Sequence, residues 1–255
     1  MTTSVDRLTL ITEALREAER LSVAELAELT GCSEMTIRRD LEQLAEQGVL
    51  ERYRGGARSL LLRGEEPPFG LRAREGTEAK RRIAAEVAGM IADGESVVID
   101  SGTTCLEVAK VLAERRITAM PLSLHAANAL AGGASGAVTL LLPGGEARRG
   151  ELALTGPLAE ASLAALRFDT AVIGCCGIGP ADGLTAYDLA DAAVKRKAMS
   201  AARRVIAVAD ATKFSRTALA FVAPVTALHA VVTDDGAAAA DVDALRAAGV
   251  AVRQV

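Results

Sequence analysis

The 255-residue chain has no tryptophan, two tyrosines and four phenylalanines, which excludes nucleic-acid binding by stacking bases on aromatic rings. Four cysteines (Cys32, Cys105, Cys175 and Cys176) show no C-x-x-C spacing, and only two histidines accompany them. A zinc site and a disulfide framework are therefore excluded, and free, mostly buried thiols are expected. No apolar run reaches the roughly 18 residues of a membrane span, and no signal peptide is recognisable, so a cytoplasmic protein without membrane partners is expected. A net charge of −4 argues against unspecific coating of nucleic acid but leaves room for a small local DNA face. The Gly-Lys-Ser/Thr ending of a nucleotide loop and the G-x-G-x-x-G fingerprint are both missing, so no nucleotide cofactor is expected.

What is present is apolar residue, at 50 % of the chain, with 24 % charged. That composition allows a substantial core in one large or two modest domains. Residues 5–18 place Leu8, Ile11 and Leu15 on one helical face. Leu21-Ser-Val-Ala-Glu-Leu26 then supplies a capping box, Ser22 with Glu25, and a hydrophobic staple, Leu21 with Leu26. A second helix follows to about Thr30, and Gly31 makes a tight turn. Ser33 caps a third helix whose inward stripe is Ile37, Leu41 and Leu44, with Gly48 as its stop. This leaves Met35, Thr36, Arg38, Arg39 and Gln43 on the other faces. Val49-Leu50 and Arg52-Tyr-Arg-Gly-Gly56 read as a short two-stranded wing whose Arg52 and Arg54 can reach phosphates. Charge does not decide this reading, since residues 33–58 hold five Arg against five Asp/Glu. The order of parts does: three short helices, a Gly turn and a basic wing form a winged helix-turn-helix.

Ser33-Glu-Met-Thr-Ile-Arg-Arg-Asp-Leu41 and Gly48-Val-Leu-Glu-Arg-Tyr-Arg-Gly-Gly-Ala57 resemble the N-terminal signature of the DeoR family of bacterial transcriptional regulators. That resemblance implies that Ser33, Thr36, Arg38 and Arg39 of the recognition helix, with Arg52 and Arg54 of the wing, contact double-stranded operator DNA. It covers a DNA-binding domain over residues 3–58. Residues 59–76, broken by Pro67, Pro68 and Gly70, read as a linker that Phe69 and Arg72 anchor to a second domain over 77–255.

In that second domain, helical segments (77–92, 105–115, 155–166, 187–202 and 240–248) alternate with apolar runs at 96–100, 117–124, 138–142, 170–175, 205–209 and 230–233. This rhythm is an α/β domain around a mostly parallel sheet, with ligands off the strands' carboxyl ends. Asp100-Ser-Gly-Thr-Thr104 joins a strand to a helix starting near Cys105. Its hydroxyls and orphan N–H groups make either an anion cradle or a plain helix cap, and the spacing leaves both open. Lys213, after the strand at 205–209, stands where a cation meets a phosphate. The Gly turn at Leu142-Pro-Gly-Gly-Glu146 and the loop carrying Asp182 each follow a strand. His125 reads as a structural or rim residue.

These segments, with Glu78-Ala-Lys-Arg-Arg-Ile-Ala84 and the helix at 191–199, resemble the sensor domain of the same family, which is similar in fold to ribose-5-phosphate isomerase and CoA transferases. The resemblance implies a phosphorylated sugar or sugar alcohol as effector. It implies a site of Asp100, Ser101, Gly102, Thr103 and Thr104, with Lys80, Gly145 and Lys213 as neighbours, and it implies repression in a homodimer or higher oligomer. Family members read Thr-Asn-Ser where this chain has Pro121-Leu-Ser123, so Leu122 takes away an amide at one wall. The alternative is a sugar-phosphate isomerase or deaminase using Asp100, Asp182, Asp188 or Asp191 for acid–base chemistry.

Overall fold

The computed structural model describes residues 4–18, 20–46, 49–60, 66–214 and 216–255, so the expected helix stop at Gly48 lies outside the described residues. The chain forms two compact units, Met1–Glu75 and Gly76–Val255.

The first unit runs α1 (Ser4–Ala18), β1 (Arg20–Ser22), α2 (Val23–Thr30), α3 (Glu34–Glu46), β2 (Leu50–Tyr53), β3 (Gly56–Ser59) and α4 (Phe69–Arg74). Leu8, Ile11, Leu15, Leu26, Ile37, Leu41 and Leu44 all point into one core. The capping box is formed: the Ser22 hydroxyl accepts from Glu25 N while a Glu25 carboxylate oxygen accepts from Ser22 N at 2.7 Å. We expect Ser22→Ala to cost about 1 kcal/mol, read as a lower urea midpoint at unchanged slope. Gly31 closes α2 in the left-handed region, with φ 66°. The wing has three strands, not two, because β1 pairs antiparallel with β3 on the side away from β2. Gly56 permits this: a Cβ there would lie 2.4 Å from the Leu21 carbonyl oxygen.

The segment read as linker also differs from expectation. Residues 69–74 form α4, with Leu71 buried in the first unit's core. Arg72 donates to the Pro67 carbonyl at 2.8 Å and pairs with Glu66 at 3.0 Å.

The second unit runs α5 (Thr77–Gly89), β4 (Ser96–Ile99), α6 (Thr103–Leu112), β5 (Thr118–Pro121), α7 (Leu124–Ala131), β6 (Thr139–Leu140), β7 (Glu146–Ala147), β8 (Leu154–Thr155), α8 (Pro157–Ala164) and β9 (Phe168–Gly174). It continues with β10 (Gly177–Gly179), β11 (Gly183–Ala186), α9 (Leu189–Ala201), β12 (Ala202–Val208), β13 (Ala220–Ala223), β14 (Ala230–Thr233), α10 (Ala239–Ala247) and β15 (Ala251–Gln254). Seven strands form one parallel sheet in the order β15-β14-β12-β9-β4-β5-β6. Alternate residues serve opposite faces. Val98, Met120, Ala171, Ile173, Val205 and Ala207 pack with α8, α9 and the small sheet β10-β11-β13. Val97, Ile99, Ala119, Val172, Ile206 and Val208 pack beneath α5, α6 and α7. Burial on both faces explains why these strands read as continuous apolar runs.

The chain leaves β4 toward β5 and β6, then returns to the opposite side of β4 with β9. The carboxyl ends of β4 and β9 therefore flank the point where the strand order reverses, and crevices for ligands form there in open parallel sheets.

Candidate functional site: a DNA-reading face and an anion cradle

On the first unit, the Ser33 hydroxyl accepts from Thr36 N at 3.3 Å, so Ser33 is a helix cap at the start of α3. Thr36 is half-buried, and Arg38 and Arg39 are exposed on the side opposite the Ile37–Leu41 stripe. Arg38 pairs with Glu34 at 2.8 Å with both side chains more than half exposed, an i, i+4 pair that competes weakly with an outside partner. Arg39 makes no ion pair among the described residues and is free to meet an anion. In the wing, Arg52 pairs loosely with Glu42 at 3.2 Å, while Arg54 is exposed beside Gly55, with no ion pair among the described residues. Asp40, directly after the arginine pair, turns inward and receives a two-pronged bond from Arg7, Nε at 2.6 Å and Nη2 at 3.0 Å. That bond holds the Arg7 guanidinium above its ordinary pKa. Two charges thus ground α3 on α1, and the guanidinium groups of Arg38 and Arg39 remain outside.

On the second unit, the loop after β4 begins at Asp100, whose carboxylate is enclosed and accepts from Gly174 N at the end of β9, 2.9 Å away. Ser101, Thr103 and Thr104 are buried. The helix starts two residues earlier than expected, at Thr103, with Gly102 as its N-cap at φ 97° and ψ 168°. No side chain caps this terminus, so the first N–H groups of α6 keep their capacity for an anion. Such backbone angles are nearly restricted to glycine. We expect Gly102→Ala to destabilise this unit by about 1–3 kcal/mol and to abolish anion-induced thermal stabilisation, both visible in one thermal-shift titration.

Around the loop the structure gathers several more groups. Lys195 of α9 bonds Asp100 and lies 3.3 Å from Asp191, and the Ser101 hydroxyl donates to Asp191 at 3.3 Å. Burial pushes the Asp100 carboxyl up to about 6, with Lys195 opposing the shift and Asp191 adding to it. For Lys195 burial acts downward, but the two carboxylates outweigh it and hold the ammonium well above its ordinary range. Lys213 and the buried Lys80 converge electrostatically on Asp210, whose carboxyl they draw below its ordinary value against the upward pull of burial. Lys213 also acts on Cys175, the residue after Gly174, although burial still pushes that thiol up to about 12. The thiol of Cys105 is likewise raised by burial. Neither cysteine is a thiolate at neutral pH, and neither has nucleophilic character.

The remaining candidates fall elsewhere. Gly145, at φ 96°, lies against Thr155, where a Cβ would meet its carbonyl oxygen at 2.4 Å. It reaches this end of the sheet one strand further out, through Leu154 N to the Leu122 carbonyl and Leu122 N to the Ile99 carbonyl. Leu122 itself is buried in the apolar core. Asp182 is exposed and accepts from Thr217, and Asp188 caps α9 by accepting from Asp191 N at 2.8 Å. Asp182 and Asp188 thus serve a loop contact and a helix cap, while Asp100 and Asp191 share Lys195. His125 lies on α7, bordering a groove with Leu106 and Lys110. Lys195, missed in the sequence, had one signal there: a lysine four residues after Asp191, inside the otherwise apolar inner face of α9.

A winged helix-turn-helix joined to an α/β unit with an uncapped helix start at its switch point is the plan of a DNA-reading regulator. Residues 7–61 match the DeoR-like helix-turn-helix domain and residues 75–235 match the DeoR C-terminal sensor domain, so the chain belongs to the DeoR family of transcriptional regulators. It is 36 % identical over 233 residues to the transcriptional repressor AccR of Agrobacterium fabrum, covering 91 % of this chain and 90 % of that one. It is 32 % identical over 225 residues to the glycerol-3-phosphate regulon repressor of Escherichia coli K12, covering 88 % of each. Among solved structures, ribose-5-phosphate isomerase A of Methanocaldococcus jannaschii is similar over 55 % of each chain, at 16 % identity and a TM-score of 0.40. Among the described residues, no helix is long and apolar enough to cross a membrane.

Proposed function

We propose that the protein is a cytoplasmic repressor of an operon for the use of a phosphorylated sugar or sugar alcohol, and that this metabolite releases it from its operator. Arg38 and Arg39 enter the major groove while Arg54 meets backbone phosphate, and two chains in a homodimer or higher assembly read the two halves of a symmetric site. The phosphate end of the effector lies on the start of α6, among Gly102, Thr103 and Thr104, with Lys213 nearby. The observation that carries this reading is the uncapped, glycine-initiated terminus of α6 at the β4–β9 switch point, with Lys195 bonded to Asp100 behind it. A relative named for the glycerol-3-phosphate regulon supports the ligand class.

The test is fluorescence anisotropy with DNA from upstream of the protein's own operon. Glycerol 3-phosphate and the 6-phosphates of glucose, fructose and glucosamine are added in turn, beside the same compounds without phosphate. One phosphorylated compound should weaken operator binding at least tenfold, with no response to its unphosphorylated form. Sequence-specific binding that no phosphorylated compound changes, together with no thermal stabilisation by any of them, would refute the effector assignment.

A further inference from the structure

We propose that Lys195 is a positioning residue for the effector: without touching the ligand, it supplies the counter-charge that lets an anion approach the carboxylate-lined end of β4, and it tethers that loop to α9. This rests on the effector reading above.

The loop between β4 and α6 offers N–H groups to an anion, yet two carboxylates lie immediately behind it. The Asp100 side chain is 1 % exposed and that of Asp191 9 %. At such depth water screens little, so two bare carboxylates would repel an incoming phosphate. Lys195, itself 4 % exposed, contacts both. Each carboxylate also holds the loop: Asp100 accepts from Gly174 N at 2.9 Å, and Asp191 accepts from the Ser101 hydroxyl at 3.3 Å. One ammonium therefore cancels one of the two negative charges at the floor of the site and sets the position of Ser101 and Gly102 before a ligand arrives. The other two lysines nearby, Lys80 and Lys213, act on Asp210. The neighbouring thiols of Cys105 and Cys175 stay protonated and add no charge of their own.

The test uses the full chain, inorganic phosphate and glycerol 3-phosphate as probes, and titration calorimetry at pH 6 and pH 8. Lys195→Met, close in length but neutral, should weaken phosphate binding at least tenfold at pH 8. The loss should be smaller at pH 6, where the buried Asp100 carboxylate, deprived of its ammonium, takes up a proton. The double variant Lys195→Met with Asp191→Asn restores the charge balance and should recover most of the affinity. A lysine that only holds the fold together would change melting temperature without this pH signature and without this rescue. Wild-type affinity in Lys195→Met at both pH values, or a double variant no better than the single one, overturns the proposal. If Lys195→Met does not fold, Asp191→Asn alone decides. It leaves the ammonium to Asp100 and should bind phosphate several-fold more tightly than wild type, and equal or weaker binding overturns the proposal. A wild-type protein that binds neither probe nor any other phosphorylated sugar removes the effector reading first, and this inference with it.

Discussion

Arg39→Ala is expected to weaken operator binding by about 5- to 150-fold, the range that follows from the 1–3 kcal/mol of a two-pronged arginine contact to a base edge. The side chain is exposed and carries no ion pair among the described residues, so its removal should leave the melting temperature within a degree of wild type. Arg54→Ala, at the wing tip, is expected to act differently. A phosphate contact carries no sequence information, so that variant should lose affinity uniformly across DNA sequences, with the salt dependence reduced by about one counterion. Arg38→Ala falls between the two, because Glu34 already holds that guanidinium loosely. Anisotropy titrations against operator and scrambled DNA at several salt concentrations separate these cases. Unchanged operator affinity in Arg39→Ala would mean that α3 does not present this face to the groove.

Asp40→Ala should produce the largest loss of stability in the first unit, about 3 kcal/mol. Both Arg7 and Asp40 are largely enclosed, with side-chain exposures of 13 % and 7 %, and the guanidinium meets both carboxylate oxygens. Taking away the carboxylate strands a buried positive charge, a cost beyond the lost attraction itself. DNA binding should fall although Asp40 faces inward, because α3 loses its tie to α1. Hydrogen exchange should show the amides of α1 and α3 opening sooner while those of the parallel sheet keep their protection. Equal protection of α3 in variant and wild type would show that the apolar stripe alone holds the helix in place.

Much of the first unit could be read from residue order because its signals are local. Ser22 with Glu25, Gly31, and the spacing of Ile37, Leu41 and Leu44 each specify a cap, a turn or a face within a few residues. The third wing strand escaped notice because three residues between two helices carry no period, and their pairing depends on a backbone approach at Gly56. α4 was hidden by Pro67 and Pro68, which mark its start as readily as they mark a linker. In the second unit the apolar runs gave the main strands. α7 was absorbed into the run at 117–124 and its alanine-rich continuation. The strands β10, β11 and β13 are short, β10 is mostly glycine, and β13 pairs with β11 from far along the chain. At the cradle, the Asp100–Thr104 stretch stood out as a strand-to-helix turn. Lys195 did not, since its meaning comes from Asp100, 95 residues earlier, and only the folded sheet brings the two together.

The placement of β4 between β5 and β9 also bears on synthesis at the ribosome. One flank of this central strand stays uncovered until a segment 74 residues downstream has emerged and docked, so a long parallel pairing must close late and slowly. The amino-terminal unit, built from neighbouring helices, has no such wait and can form first. An incomplete nascent chain would then carry a finished DNA reader beside a half-made sheet with an open, sticky border, and chaperone demand should concentrate in that interval.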